Sequence, residues 1–371
     1  MRKRLSILII PLILFAACTR GNNKPQENNK PQESKVVEQS KPAEQNVKVE
    51  EQSISDYYPF KENTEYKYAG EGNEYAAQDV YVDYIKDNRM QLRVKNAGTT
   101  AVRVIERTKD TVTLVGVRGE TYHKEDLTNM AKSEASDILL KTPIKEGNSW
   151  NTSSGDKRTI TGLDKSILTP FGELKALEVT TEGKDYIYKD YYAKGLGHVK
   201  SVYTDKTNKE FVVTTEIKEI NENSPIIEDI KFFYIKPEPT EFSIVYNTKE
   251  IKIKTNEEVK DYFEKYLKTV PSSKLTPLIS KNTKINKMKS DQEKGIAYVD
   301  LSREFIDEMN AGSSVESEIL TAVANTFGSY FGVREVLLTV DGEPYSSGHI
   351  LLEKNETLKT ELDKARNFST M

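Results

Sequence analysis

The sequence has little of what most enzymes and metal proteins need. It contains one Cys and three His in 371 residues. A single thiol cannot close a disulfide within the chain. His123, His198 and His349 are too few and too scattered to complete a structural zinc site, and no His-Glu-x-x-His helix provides a catalytic one. Neither sign of charge dominates: 54 Lys+Arg stand against 58 Asp+Glu, a formal −4. Without a cationic excess to neutralise phosphates, no nucleic-acid partner is expected. No apolar run reaches the 18 or so residues of a spanning helix. A Gly-x-Ser-x-Gly elbow and a phosphate-binding Walker loop are both missing. Ser154-Gly155-Asp156-Lys157 formally matches Ser-x-x-Lys but lacks Ser-Asp-Asn and Lys-Thr-Gly companions, so it reads as a strand turn. Nothing singles out a carboxylate pair for glycan cleavage. No catalytic residue, metal or cofactor is therefore assigned, and the expectation is a protein that is not an enzyme.

What is present begins with an address. Met1–Arg4 is basic, and Leu5–Ala17 is an apolar run broken by Pro11. As a helix this run rises about 20 Å, short of a ~30 Å hydrocarbon core, so residues 1–17 read as a signal peptide. It ends in Leu14-Phe15-Ala16-Ala17-Cys18, which resembles the bacterial lipoprotein box, with Phe15 bulkier than usual. The resemblance implies a lipid on Cys18, cleavage after Ala17, and anchoring at the extracytoplasmic face of the cell membrane. Residues 18–52 then read as a tether. Asn22–Glu27 and Asn28–Glu33 repeat one hexapeptide, and the stretch has no aromatic residue. Such a segment buries too little apolar surface to offset its chain entropy.

Residues 53–222 read as an antiparallel all-β domain. Val80–Ile85, Met90–Val94, Val102–Ile105, Val112–Val117, Leu174–Thr181, Tyr186–Tyr192, Val199–Tyr203 and Phe211–Ile217 are short β-branched or alternating runs separated by Gly, Asp and Asn. Only Asp126–Leu140 looks helical. Tyrosines are frequent, among them Tyr81, Tyr84, Tyr186 and Tyr188. They suit half-buried strand positions. They would also suit an aromatic face for a glycan or peptide if they lined one exposed concavity.

Residues 230–352 read as a small two-layer α/β domain, with helices over one face of a mixed sheet. Thr255 and Glu258 form a capping box ahead of an apolar stripe, Val259, Tyr262, Phe263, Tyr266 and Leu267, which Pro271 ends. Ser302 is placed to cap a short helix. Ser313 and Glu316 form a second capping box, and Gly328 is expected to close the helix that follows. Asp341-Gly342 suits a type I′ hairpin turn. Asp300 and Asp341 thus have structural roles available, with a ligand site as the alternative. Residues 353–371 form a charged tail in which Leu358 and Leu362 fit a short helix; a frayed, solvated terminus is expected, with a docking helix as the alternative.

Four blocks of this region, Ala297–Ser302, Glu316–Phe327, Gly332–Val336 and Val340–Pro344, carry a resemblance to the GerM family of sporulation and spore-germination proteins. The family has no known enzymatic activity. Its domain is similar to small α/β modules that assemble in secretion-type complexes. The resemblance implies a non-enzymatic assembly or scaffold module in a membrane-anchored envelope lipoprotein. Its expected partners are the membrane through lipid at Cys18, envelope proteins, copies of itself, and peptidoglycan. The alternative is a lipoprotein that captures a glycan or peptide on the Tyr-rich β-domain. The whole is expected to be α+β and multidomain.

Overall fold

The computed structural model describes residues 53–134 and 136–368. The expected signal peptide, Cys18 and the tether lie outside the described residues. A one-turn helix, α1 (Ile54–Tyr57), opens the described chain, its first turn capped by the Ser53 side chain.

Twelve strands follow: β1 (Glu65–Glu71), β2 (Gln78–Lys86), β3 (Arg89–Lys95), β4 (Thr100–Arg107), β5 (Thr111–Arg118), β6 (Asp137–Lys141), β7 (Ser149–Asn151), β8 (Lys157–Thr169), β9 (Gly172–Glu182), β10 (Tyr186–Ala193), β11 (Gly197–Asp205) and β12 (Val212–Asn221). They form one antiparallel sheet in which two meanders, β1–β6 and β7–β12, join side by side through the β1–β12 pair. The runs are period-two and the turns short, which favours this local order. Positive φ at Asp87, Gly195 and Gly197 serves the tight returns.

The sheet curls until its two free edges meet, giving a near-barrel. No β-ladder joins β6 to β7. Side chains close the gap instead. Trp150 Nε1 donates to the Ile138 carbonyl at 2.9 Å, and Asn148 Nδ2 donates to the Lys141 carbonyl at 2.9 Å. Arg158 Nη1 sits 2.9 Å from Asp137 Oδ2, with both side chains buried. Edge carbonyls that would otherwise template another strand are thereby occupied. The inward residues, among them Val82, Leu92, Leu140, Ile160, Leu177 and Tyr192, form the barrel core. On the outer face, Val102, Val104 and Val115 are covered by Leu127 and Met130. That cover is the segment expected to be helical. From Asp126 onward it is a loop that ends in β6, because its apolar residues serve two different faces of the barrel.

The C-terminal unit contains β13 (Ile226–Pro237), β14 (Phe242–Ile253), α2 (Val259–Lys268), β15 (Ile285–Asp291), β16 (Ile296–Leu301), α3 (Glu304–Asp307), α4 (Ser313–Phe331), β17 (Glu335–Val340), β18 (Glu343–Pro344), β19 (Leu358–Lys359) and β20 (Arg366–Asn367). It has two sheets rather than one, β13-β14-β20 and β15-β16-β17-β18, with β19 added to β17. β16 and β17 pair in parallel. α4 touches strands of both sheets, so it is buried on more sides than a single stripe predicts. The architecture is thus mostly β: a near-barrel followed by a mixed unit built around α4.

Four helix-boundary expectations change. Ser313 does not cap α4, whose N-cap position is Gly312 with no side-chain bond, and Glu316 bonds Tyr345 and Ser347 instead. Thr255 does not cap α2, whose N-cap position is Glu258 with no side-chain bond. Ser302 does not cap α3; its hydroxyl bonds Glu304 and accepts from Lys284 N. Gly328 does not end α4, which continues to Phe331 and stops at Gly332 in the left-handed region, φ 68°. The tail is not a frayed helix either. Buried Asn325 on α4 accepts from Glu361 N at 2.6 Å, and Thr360 N donates to the Arg334 carbonyl at 3.0 Å. These bonds lay residues 358–367 along the two sheets.

Gly328 is small for that reason. A Cβ there would stand 2.3 Å from Thr360 Cγ2. Gly328→Ala should therefore loosen the tail, read as faster proteolysis after residue 352, and adding Thr360→Ser should restore protection. Gly332→Ala meets open space but keeps a positive φ, and should cost about 1 kcal/mol in urea denaturation.

Candidate functional site

The chemistry-bearing side chains concentrate where the near-barrel meets the C-terminal unit. β2 and β3 supply Asp83 and Arg93, and β13 supplies Glu228. Arg93 Nε donates to Asp83 Oδ2 at 3.1 Å, and its Nη1 donates to Glu228 Oε1 at 2.8 Å. Asp83 is fully buried and Arg93 nearly so. Asp83 Oδ1 and Arg93 Nη2 have no hydrogen-bond partner among the described residues. Burial opposes the Arg93 charge, but the two carboxylates outweigh it and hold the proton more firmly than on a free guanidinium. Burial pushes Glu228 above the usual carboxylate range, with Arg93 pulling the other way.

Around this triad, main-chain groups of one unit are satisfied by side chains of the other. Asn63 N donates to Thr255 Oγ1 at 2.7 Å, and Thr255 N donates to Asn63 Oδ1 at 2.9 Å. Thr255 Oγ1 donates to the Val82 carbonyl at 2.6 Å. Tyr81 Oη donates to the Ile253 carbonyl at 3.3 Å. Gln91 Nε2 donates to the Glu125 carbonyl and Gln91 Oε1 accepts from Leu127 N, which fixes the loop carrying His123 and Lys124. His123 is buried, 4.8 Å from the Phe331 ring centroid, with Nε2 3.2 Å from Ser290 Oγ.

Lys124 closes the arrangement. Its Nζ donates to the carbonyls of Lys254 at 2.7 Å and Glu257 at 3.0 Å and lies 4.5 Å from the Tyr84 ring centre. At 4 % exposure its ammonium is poorly solvated, and burial lowers its pKa to about 8. Beside it a cleft of about 230 Å³ opens between Tyr84, Glu258, Lys260, Met288 and Phe331. The site can hold two folded units in one register.

The residues singled out from sequence have other places. Tyr81 and Tyr84 sit in this junction, whereas Tyr186 stacks on Tyr203 and donates to Asp156 at 2.8 Å. Tyr81, Tyr84, Tyr186 and Tyr188 therefore do not line one exposed concavity. Asp300 Oδ1 accepts from Thr339 Oγ1 at 2.5 Å and from Gly342 N at 2.8 Å, so it holds the Asp341-Gly342 turn. Both turn residues have positive φ, as a type I′ turn requires. Ser154 bonds Thr152 and Asp156 within its own turn. Cys18, the proposed lipid site, lies outside the described residues. Sequence reasoning missed Asp83, Arg93, Lys124 and Glu228. Alternation gave no signal for them, because Asp83 and Arg93 occupy the outward positions between the core residues Val80, Val82, Leu92 and Val94, where charge is ordinary.

Removing Arg93 alone strands two buried carboxylates. Arg93→Met should cost about 3–5 kcal/mol in chemical denaturation. The triple replacement Asp83→Leu, Arg93→Met, Glu228→Leu should recover most of that loss.

Lys124 gives a pH signature. Above about pH 8 the folded chain has released its proton, whereas the unfolded chain keeps it to the ordinary 10.5. The unfolded state then binds more protons, so stability rises with pH across that window, by at most about 3 kcal/mol. Near pH 10 unfolded tyrosines ionise while buried ones such as Tyr66, raised to about 12, do not, and stability falls again. Lys124→Met should abolish the rise between pH 8 and 9.5 in urea midpoints and leave the later fall.

Comparison with known proteins gives a family match in the C-terminal unit. Residues 231–346 match the family Germane, described as sporulation and spore germination. Among solved structures, the tandem GerMN domains of the sporulation protein GerM from Bacillus subtilis align at 20% identity, over 36% of this chain and 46% of that one, with a TM-score of 0.28. This chain thus spans under half the length of that structure. A candidate lipoprotein from Clostridium perfringens aligns at 19% identity over 37% of this chain and 92% of that one, TM-score 0.23. A candidate exported protein with a YmcC-like fold from Bacteroides fragilis aligns at 12% identity over 45% of this chain and 99% of that one, TM-score 0.30. No curated protein matches the chain.

Proposed function

We propose that this chain, which carries a Germane domain at residues 231–346, is a lipid-anchored envelope protein that works as a non-enzymatic assembly module in sporulation or spore germination. Cys18 is the anchor, residues 19–52 are the tether, and the two folded units act as one body at the outer face of the membrane. The observation that carries the reading is the junction. The Asp83–Arg93–Glu228 triad and the reciprocal Asn63–Thr255 bonds fix the Germane domain to the near-barrel, so the barrel serves as its mount. Buried charges here are taken up in holding two units together, which suits a scaffold better than a catalyst. Tethering raises the local concentration of the module near its partners, so weak contacts suffice. Those partners are other envelope proteins or further copies of this chain, with peptidoglycan as a further surface within reach.

The test is fractionation of cells expressing the wild type and Cys18→Ser. The wild type should run with membranes and carry acyl chains. The variant should be released or remain unprocessed. A Cys18→Ser protein that stays membrane-bound and is still cleaved after Ala17 would refute the anchor. Cell-wall clearing by the purified protein in zymography would refute the non-enzymatic role.

A further inference from the structure

A second cavity, of about 240 Å³, lies in the C-terminal unit away from the junction, between α3, the start of α4 and the segment after β18. At its base is Glu316, in the first turn of α4 and 2 % exposed. Glu316 Oε1 accepts from Tyr345 Oη at 2.7 Å and from Ser347 Oγ at 2.5 Å. Ser347 is itself fixed by the backbone N–H groups of His349 and Ile350, each 3.0 Å from its Oγ. Oε1 is therefore saturated and the carboxylate cannot swing. Oε2 has no hydrogen-bond donor among the described residues and is not sealed from the cavity. A carboxylate 98 % removed from water would ordinarily have every acceptor satisfied. One is left facing an open space.

We propose that this cavity binds a primary ammonium group carried on an aliphatic stem, of the lysine side-chain class. One free oxygen suits a point cation and is one short of the pair that a guanidinium fork engages. It is also too few for a metal ion, and no group of three metal-ligating side chains occurs among the described residues. Asp307 at the rim is taken by Arg303, 2.9 Å away, and does not compete as an acceptor. Ile306, Met309 and Ala311 form an apolar wall along which methylenes can lie while the head reaches Glu316. The inference is independent of the lipid anchor and of the assembly role.

The test uses the full chain with labelled Ile and Met methyls and follows Ile306 and Met309 by NMR. Nα-acetyl-lysine amide at millimolar concentration should shift both methyls, and the diacetylated, uncharged analogue should not. Glu316→Gln keeps the hydroxyl bonds and should weaken binding at least tenfold. Ala311→Leu fills the wall without touching the carboxylate and should do the same at an unchanged melting temperature. Cadaverine separates the sources: binding as tight as that of the lysine amide supports a free amine, and weaker binding supports a lysine within a peptide. An equal response to the neutral analogue, no response to the lysine amide, or full affinity in the Ala311→Leu protein would overturn the proposal, even if Glu316→Gln failed to fold.

Discussion

The arrangement of the two units depends on one buried guanidinium. Arg93 leaves a barrel strand, meets Asp83 on the neighbouring strand and crosses to Glu228 at the start of the C-terminal unit. Taking three charges out of water is costly, and an apolar contact of similar volume would give equal or greater stability. What the triad supplies is a single register. Glu228 cannot slide along β13 without stranding Arg93, and the Asn63–Thr255 exchange enforces the same position through four backbone and side-chain groups. Loss of Arg93 leaves two carboxylates unpaired inside. The junction therefore favours one arrangement of the two units over all neighbouring ones.

The barrel solves a related problem at its seam. An antiparallel sheet of this width has two free edges, each a template for further strands. Here the edges are brought together and joined by Trp150, Asn148 and Arg158 rather than by a ladder. The chain needs these polar side chains on β7, β8 and the turn before β7 because strand pairing ends there.

How much of this was legible in the sequence follows from the range of each interaction. Most strands of the barrel, the Asp341-Gly342 turn and the apolar stripe of α2 rest on neighbours a few residues away, and the alternation and turn residues revealed them; β1, β6 and β7 were not read as strands. The capping boxes were misread because their side chains found distant partners. Thr255 bonds residues almost two hundred positions earlier, and Glu316 reaches Tyr345 and Ser347. Local chemistry offered each a cap, and tertiary structure offered a better-buried bond. The helical reading of 126–140 failed for the same reason, since residues at helical spacing pack on two separate faces of a barrel. The tail was misjudged because its backbone is satisfied by Asn325, a polar residue inside a helix that the periodicity alone would count as a flaw.

These cases share a rule. Asp83, Thr255, Glu316 and Asn325 are buried polar residues; the last three join segments that the sequence keeps far apart, and Asp83 holds the Arg93 that does. Three have their polar atoms matched across the fold or, for Asp83, paired on one oxygen with a buried cation. Glu316 differs in where its remaining valence points. The spare oxygen of Asp83 is sealed in the interior, where it costs stability and can meet nothing. That of Glu316 opens on a cavity with an apolar wall, where a ligand can reach it. A buried acceptor that opens on a cavity can take a donor from outside. This distinction, rather than the number of charges at either place, makes the first a structural joint and the second a binding site.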